Sequence, residues 1–584
     1  MIDDPATDDP VREAGMLMDR SLHSAIAKAT QGLSPSSLAG AYLDWMAHLA
    51  GSPGSQMWLA WKGARKALRY TQYLTQCAQH GGAAPRCIEP LPGDRRFDDP
   101  SWQVWPYNAY HQGFLLWQQW LHNATTEVRG VSKPHDNVVS FASRQLLDIV
   151  APSNFIATNP VVLKRTAEMG GRNLAEGLLH FLEDTAKGAA KAPRTAVPNP
   201  AVGKTVAITP GKVVFRNRLM ELIQYSPVTK AVAPEPILIV PAWIMKYYIL
   251  DLSSANSLVH FLTERGFTVF MISWLNPGPD DRELGMDDYL QSGIFDAIDA
   301  ACEISGSPKL HATGYCLGGT LLSIAAAAME RDGDRRLATL SLFAAQQDFT
   351  EAGELTLFVN SSQIALLEDV MWEQGYLDSK QMAGAFQILR SNDLIWSHVI
   401  QDYLLGERQT QTDLMAWNAD TTRMPARMHA QYLRELFMNN DLAEGRYRVG
   451  DQPVAMNDIH TPIFAVGTHS DHVAPWHSVH KVHLLTDAEV TFVLTSGGHN
   501  AGIVSEPGHP HRQFQHATRP LECHYIAPEA WAAAAVTTAG SWWPFWVDWL
   551  ASRSGPPGKP PGPGKPEAGY PVLADAPGIY VYQP

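Results

Sequence analysis

The chain is poor in cysteine and has no run of apolar residues long enough to cross a bilayer. Its five cysteines, at positions 77, 87, 302, 316 and 523, are odd in number and include no C-x-x-C pair or zinc-finger spacing. Such a set argues against a disulfide framework and for reduced thiols in a cytoplasmic protein. Apolar stretches such as Pro236–Ile244 fall far short of the ~20 residues that a spanning helix needs, so no transmembrane segment is expected. The start from Met1 to Arg12 is acidic and polar, without the basic region and apolar core of a secretory signal. Lysine and arginine form no long run, and the net charge of -14 repels nucleic acid. An anionic substrate therefore has to be met by local basic residues. No internal repeat is evident.

What is present is material for more than one core. The 584 residues exceed the ~250–300 at which single cores stop growing, and 45% of them are hydrophobic against 18% charged. The first ~200 residues read as helical. Met57–Cys77 sets Trp58, Trp61, Leu68, Tyr70 and Leu74 among Lys62, Arg65, Lys66 and Arg69, the pattern of an amphipathic helix. Trp102–Trp120 is rich in aromatics and reads as packing between helices, with a surface for a partner or an apolar polymer as the alternative. Prolines 193, 198, 200 and 210 mark Lys191–Pro210 as a linker.

Beyond the linker, short apolar strands alternate with helices, which argues for a mostly parallel sheet covered on both faces. The expected strands are Lys212–Phe215, Leu219–Gln224, Ile237–Val240, Phe267–Ser273, Leu310–Thr313, Ala338–Phe343, Ile463–Gly467 and Val490–Thr495. Expected helices are Ser254–Arg265, Tyr289–Ser305 and Gly319–Arg331. The stretch from Phe349 to Ile459 is too long for one connection and reads as a helical cap. The Pro/Gly-rich tail Ser554–Gly569 reads as an extended linker.

The strongest local signal is Gly314-Tyr315-Cys316-Leu317-Gly318-Gly319, between a strand and a small-residue helix. That is the setting of a nucleophile elbow, with cysteine where serine is commoner, and it implies an α/β-hydrolase fold. The nucleophile needs a strained turn, and glycines beside it let strand and helix pass closely. The alternative is a structural Gly-rich turn holding a buried thiol. In this architecture an acid and then a histidine follow the nucleophile along the chain. Asp471 lies just past strand Ile463–Gly467, and His499 just past strand Val490–Thr495. The Leu317 N–H points toward a developing oxyanion, and the loop after Ile237–Val240 offers the Ile244 N–H as the second donor. His472, beside Asp471, is an auxiliary candidate. The group His469, Asp471, His472, His477, His480 and His499 matches no metal-ligand spacing, and a ready thiol makes a metal unnecessary. Lys246 reads as a solvated lysine, with a phosphate partner as the alternative. His509, His511 and His516 read as a polar surface loop.

Taken together these residues resemble the polyhydroxyalkanoate synthases, the polymerases of bacterial storage polyester. The resemblance runs from about Phe97 to Tyr580 through PSNFIATNP (Pro152–Pro160), KYYILDLSSANSLV (Lys246–Val259), TVFMISWLNP (Thr268–Pro277), GYCLGGT (Gly314–Thr320), SNDLIW (Ser391–Trp396), SDHVAPW (Ser470–Trp476), SGGHNAGIV (Ser496–Val504) and GSWWPFWVDWL (Gly540–Leu550). GYCLGG alone is also similar to the much shorter dienelactone hydrolases. The first ~95 residues and the tail carry no part of it. Family members have SGH where this chain has Ser496-Gly497-Gly498-His499.

The resemblance implies catalysis by Cys316, Asp471 and His499, with oxyanion amides at Leu317 and Ile244. It implies (R)-3-hydroxyacyl-CoA as substrate and no cofactor, since the CoA thioester is itself consumed. GYCLGG and the chain length are similar to the class I, single-subunit enzymes, which implies short-chain substrates such as 3-hydroxybutyryl-CoA, a homodimer, and a cytoplasmic enzyme associated with polyester granules and the growing chain. The implied layout is a variable, partly disordered extension over 1–95, a helical domain over 96–205, a catalytic domain over 206–553 with its cap at about 349–459, and a tail over 554–584. A thioesterase or lactone hydrolase sharing the elbow, or a granule-coat protein with a vestigial site, are the competing readings. The aromatics Trp396, Tyr403 and Trp417 of the cap either line the entrance or pack the core.

Overall fold

The computed structural model describes the chain apart from residues 1–9, 31, 92, 190–201, 379–394, 409–411, 522 and 584. Most of the expected linker and the first four residues of SNDLIW therefore lie outside the described residues. The chain divides into two compact units. One comprises residues 29–197 and 382–410, and the other residues 1–28, 198–381 and 411–584. The expected cap is thus shared out: its middle segment groups with the helical unit and its flanks with the catalytic one.

The second unit is built on an eleven-stranded sheet. Its strands are β1 (Lys212–Arg216), β2 (Met220–Tyr225), β3 (Ile237–Val240), β4 (Val269–Trp274), β5 (Leu310–Tyr315), β6 (Leu337–Phe343), β7 (Ile463–Thr468), β8 (Val490–Thr495), β9 (Gln513–Arg519), β10 (Val536–Ala539) and β11 (Ala574–Asp575). They lie in the order β10-β9-β8-β7-β6-β5-β3-β4-β2-β1-β11. The central six, β4, β3, β5, β6, β7 and β8, run parallel. All of these but β5 (LHATGY) are rich in Val, Ile, Leu and Phe, and β3, β4, β5, β7 and β8 are buried along their whole length. A strand buried on both faces reads as a continuous apolar run, which is why the sequence marks them so well. The two-sided cover matches the α/β-hydrolase expectation.

Two edge regions depart from expectation. His516 stands in β9, paired opposite Val493, and not in a surface loop. The proline-rich tail is no free linker. The Gln224 side chain takes the place of a strand partner for it, donating to Gly562 O at 3.0 Å and accepting from Gly564 N at 2.8 Å. Farther along, β11 pairs with β1 and Val581 is buried. Proline lacks an N–H and so suits an edge, where only some backbone groups need partners.

In the helical unit, the expected amphipathic helix Met57–Cys77 forms as Pro53–Gln79, and a further helix, Pro35–Ala50, stands in the extension expected to be partly disordered. Pro35 stands in the first turn behind the Ser34 cap, a strong helix start that the reading of this region did not weigh. Trp45 then anchors the first helix by donating to Ala124 O at 2.9 Å. The core of this unit gathers Phe97, Trp102, Phe114, Leu115 and Leu147, so the aromatic stretch does pack between helices at Trp102 and Phe114. Trp105 and Trp117 remain about half exposed, and so do Trp58 and Trp61, which were expected on a buried face. Lys62 lies over Trp58 and Arg65 over Trp61, a surface use of aromatic rings that periodicity alone does not reveal. Among the described residues, no helix is long and apolar enough to cross a membrane.

Three buried histidines of the catalytic unit, His311, His429 and His480, have pKa values pushed down to about 4, with burial as the leading cause. A folded-state value below the unfolded one, ordinarily ~6.5, means the unfolded chain binds more protons in that window. Stability from keeping these rings neutral is full above pH ~6.5 and is lost as pH falls toward about 4. Urea denaturation across that range should show a falling midpoint, and a His311→Gln variant should show a shallower fall.

Candidate active site

Strand β5 ends at Tyr315, and the helix Leu317–Arg331 begins two residues later. Cys316 makes the turn between them with φ +53° and ψ -124°, a conformation that side chains of L-residues rarely adopt. The turn is held from both sides, since Cys316 N–H donates to Phe343 O on β6 at 2.9 Å and Gly319 N–H donates back to Cys316 O at 2.9 Å. A Cβ on Gly318 would lie 2.2 Å from Val240 O at the end of β3. On Gly314 it would lie 2.4 Å from the Gly319 Cα. The expected reason for these glycines, close passage of strand and helix, is thus met by named atoms.

Asp471 and His499 come together as their order along the chain implied. His499 Nδ1 lies 2.7 Å from Asp471 Oδ2. The carboxylate is fully engaged. Thr468 Oγ1 donates to Oδ2 at 2.8 Å, and Val473 N–H and Ala474 N–H donate to Oδ1 at 2.9 Å each. Burial raises the Asp471 pKa, but His499 and these donors outweigh it, so the group stays below the ordinary carboxylate range. For His499, burial opposes charge on the ring; the Cys316 sulfur and then Asp471 overcome it, so the pKa rises well above the ordinary value. With Nδ1 directed at Asp471, Nε2 is left to serve Cys316 as a strong acceptor for its proton. The extra glycine of this loop does no harm to that geometry. Gly497 takes φ +110°, and a Cβ there would press on Arg512.

Neither the Leu317 amide nor the Ile244 amide donates to another group among the described residues. Leu317 opens its helix, where the first N–H groups have no intrahelical acceptor. The Ile244 backbone is fixed by its other side, accepting from Thr422 N–H at 3.0 Å. Strand β3, whose loop carries Ile244, pairs with β5 with Val240 opposite Gly314, so both amides belong to elements adjoining the Cys316 turn.

Other expectations change. His472 is half-buried, next to Asp471 in the loop. The remaining histidines of the group disperse: His469 is exposed, His477 meets Glu529, and His480 is buried against Phe492 and Trp531. Among the described residues no cluster of three or more His, Cys, Asp or Glu is arranged to hold a metal ion. Lys246 is neither solvated nor free for a phosphate. It is 4% exposed, and its ammonium donates to Gln583 O at 2.7 Å. Trp417 is core, donating to Lys246 O at 2.7 Å, whereas Tyr403 packs against Phe181 in the helical unit. Trp396 is half-buried.

Three residues escaped the sequence reading. Tyr315, directly before the nucleophile, donates to Asn500 Oδ1 at 2.6 Å and sets its ring 5.7 Å from that of His499. Asn500 directly follows His499, so the pair ties the two catalytic turns together. Adjacency to the motifs was a signal for both, but only the fold pairs them. Tyr432 is buried near Cys316, whose charge acts on its hydroxyl, with Trp243 6.2 Å from its ring. No sequence pattern marks it.

Comparison with known proteins adds three matches to family models. Residues 93–262 match the poly-beta-hydroxybutyrate polymerase (PhaC) N-terminus, residues 13–55 the poly-beta-hydroxybutyrate polymerase N terminal model, and residues 235–506 the alpha/beta hydrolase fold. The match at 13–55 extends the family into the region where the sequence reading found no resemblance. Among relatives, a poly(3-hydroxyalkanoate) polymerase of Methylorubrum extorquens is 39% identical over 512 residues, 87% of this chain and 84% of that one. The poly(3-hydroxyalkanoate) polymerase subunit PhaC of Rhizobium etli is 36% identical over 85% of this chain and 78% of its own length. That of Cupriavidus necator is 35% identical over 84% and 83% respectively.

The close approach at the elbow is open to a direct test. Gly318→Ala has to displace the backbone at Val240, so it should destabilise the catalytic unit by about 1–3 kcal/mol, the usual range for overpacking. It should also lower activity by shifting Cys316. A thermal unfolding midpoint equal to that of the unaltered protein would contradict the close-passage account.

Proposed function

The chain belongs to the poly(3-hydroxyalkanoate) polymerase family, and from that premise we propose that it joins (R)-3-hydroxyacyl units through an acyl thioester carried on Cys316. It is an acyltransferase acting on an acyl-CoA and making polyester. The observation that carries the covalent step is a strained Cys316 beside a buried His499 already held by Asp471.

The steps follow from the groups present. His499 Nε2 accepts the thiol proton, and Cys316 Sγ attacks the thioester carbonyl. The oxygen that becomes negative is received by the Leu317 and Ile244 amides. The C–S bond to CoA breaks, and His499 returns its proton to the departing CoA sulfur. Exchange of one thioester for another costs little, so the acyl group stays activated. The 3-hydroxyl of another unit then attacks that thioester, His499 taking its proton and passing it to the Cys316 sulfur as the C–S bond breaks, so that an ester C–O bond forms and the Cys316 thiol is restored. Asp471 has two readings, orienting His499 or deprotonating that hydroxyl itself. Its four hydrogen bonds and lowered pKa make it a poor base and support the orienting role. No further cofactor enters the chemistry, because the thioester supplies the activation.

Short-chain preference, a homodimer, a cytoplasmic setting and residence on polyester granules belong to the same proposal. Exposed Trp58, Trp61, Trp105 and Trp117 on the helical unit suit an apolar polymer surface.

Purified protein with 3-hydroxybutyryl-CoA should release CoA and form high-mass polyester. Cys316→Ala should abolish both, and His499→Ala should slow CoA release by on the order of 10²–10⁴-fold. Free 3-hydroxybutyrate as the product would instead mean a hydrolase. Asp471→Asn, which upsets the ring orientation, should cost on the order of 10³–10⁴-fold in both acylation and chain growth. A loss confined to chain growth, with acylation of Cys316 unchanged, would assign the carboxylate to the substrate hydroxyl.

A further inference from the structure

The C-terminus reaches the loop that carries Ile244. Glu221 on β2 is fully buried, bridged by Arg216, and its Oε2 accepts Ile579 N–H at 2.8 Å and Tyr580 N–H at 2.9 Å. Beyond that anchor, Gln583 Oε1 accepts Asn276 N–H at 2.8 Å, and Gln583 O accepts the Lys246 ammonium at 2.7 Å. Tyr580 O lies 3.5 Å from the same ammonium. Lys246 stands two residues after Ile244.

The loop has a second set of ties on its other side. Thr422 Oγ1 donates to Trp243 O at 2.6 Å, Thr422 N–H to Ile244 O at 3.0 Å, and Trp417 Nε1 to Lys246 O at 2.7 Å. Tyr248 adds a bond to Asp420 at 2.8 Å. All of these come from one stretch, residues 417–422. Against them, the Lys246 side chain is the tie between this loop and the chain end. A buried lysine loses hydration and holds its place only where carbonyls or carboxylates replace water. Here backbone carbonyls of the last residues do so, with the Asp420 charge nearby and opposed by Arg423.

We propose that Lys246 is a positioning residue through which the last residues of the chain, Tyr580 to Gln583, set the Ile244 amide for the oxyanion. The inference rests on the oxyanion role given to Ile244 above. The tail is then part of the catalytic apparatus without touching substrate. Lys246 is held by Gln583 O at its ammonium and by Trp417 Nε1 at its carbonyl, so losing the ammonium removes the tie on the Gln583 side and leaves the loop held from residues 417–422 alone.

The test is a KM-against-kcat split on the full-length enzyme with 3-hydroxybutyryl-CoA. Lys246→Met keeps the apolar stem and removes the ammonium. It should lower kcat for CoA release about tenfold with KM changed less than about twofold, and Lys246→Arg should recover most of the loss. Removal of residues 583–584, which keeps the Tyr580 anchor on Glu221 and buried Val581, should produce the same drop. Combining the two changes should add nothing further, because they break one linkage. Alkylation of Cys316 by iodoacetamide, which forms no oxyanion, should keep its rate in every variant and certifies that the elbow is folded.

A dithioester analogue of the substrate separates this proposal from the reading beneath it. Sulfur in place of the carbonyl oxygen fits an oxyanion hole poorly, so the unaltered enzyme should strongly prefer the oxygen substrate and Lys246→Met should prefer it less. A strong preference unchanged in Lys246→Met, or losses that multiply in the combined variant, overturns the positioning role alone. No preference in the unaltered enzyme overturns the oxyanion hole, and the positioning role with it.

Discussion

A cysteine held at positive φ between a strand and a helix can persist only if its surroundings over-determine it. In this protein the constraint is paid out in contacts too close for any side chain. The helix after Cys316 passes so near β3 that Gly318 faces Val240 O, and so near β5 that Gly314 faces Gly319. That approach has two consequences. It leaves the Leu317 amide without an intrahelical acceptor at the mouth of the turn, and it sets the β3 loop carrying Ile244 beside the nucleophile. The two amides proposed as oxyanion donors thus lie on the elements whose close packing strains the turn.

The acid–base half of the site depends on burial working against itself. Removing Asp471 from water disfavours its charge, yet two backbone N–H groups, a hydroxyl and His499 replace the lost hydration. The carboxylate thereby stays ionised and lends its charge to the ring. Tyr315 adds a mechanical link, because its hydrogen bond to Asn500 ties the histidine loop to the residue before the nucleophile.

Much of this was legible along the chain for one reason: catalytic groups in this architecture sit at the ends of central parallel strands, and those strands are continuous apolar runs. Ile463–Gly467 and Val490–Thr495 could be found by composition and Leu310–Thr313 by its place before the glycine-rich turn, and Cys316, Asp471 and His499 follow them closely. The edges were not legible. β9, β10 and β11 are half-polar or very short, and β11 lies in a stretch whose prolines and glycines imitate a linker. The helix at Pro35–Ala50 was missed although Ser34 and Pro35 give an ordinary capping signal, whereas Pro53–Gln79 was found over Met57–Cys77 from its apolar spacing.

What the chain by itself determined is thus the order of elements, the strand–turn–helix at Cys316, and the positions of Asp471 and His499 just past strand ends, since each is a local pattern of residue type and spacing. Only the tertiary structure decided which groups are paired across distance. Lys246 looks solvated beside its neighbours in the chain, and becomes a buried tie to Gln583 because residues 337 positions apart meet at one loop. The same holds for Thr468 on Asp471, Tyr315 on Asn500 and Tyr432 beside Cys316. Burial and partner choice are properties of the packed core, so no local pattern records them.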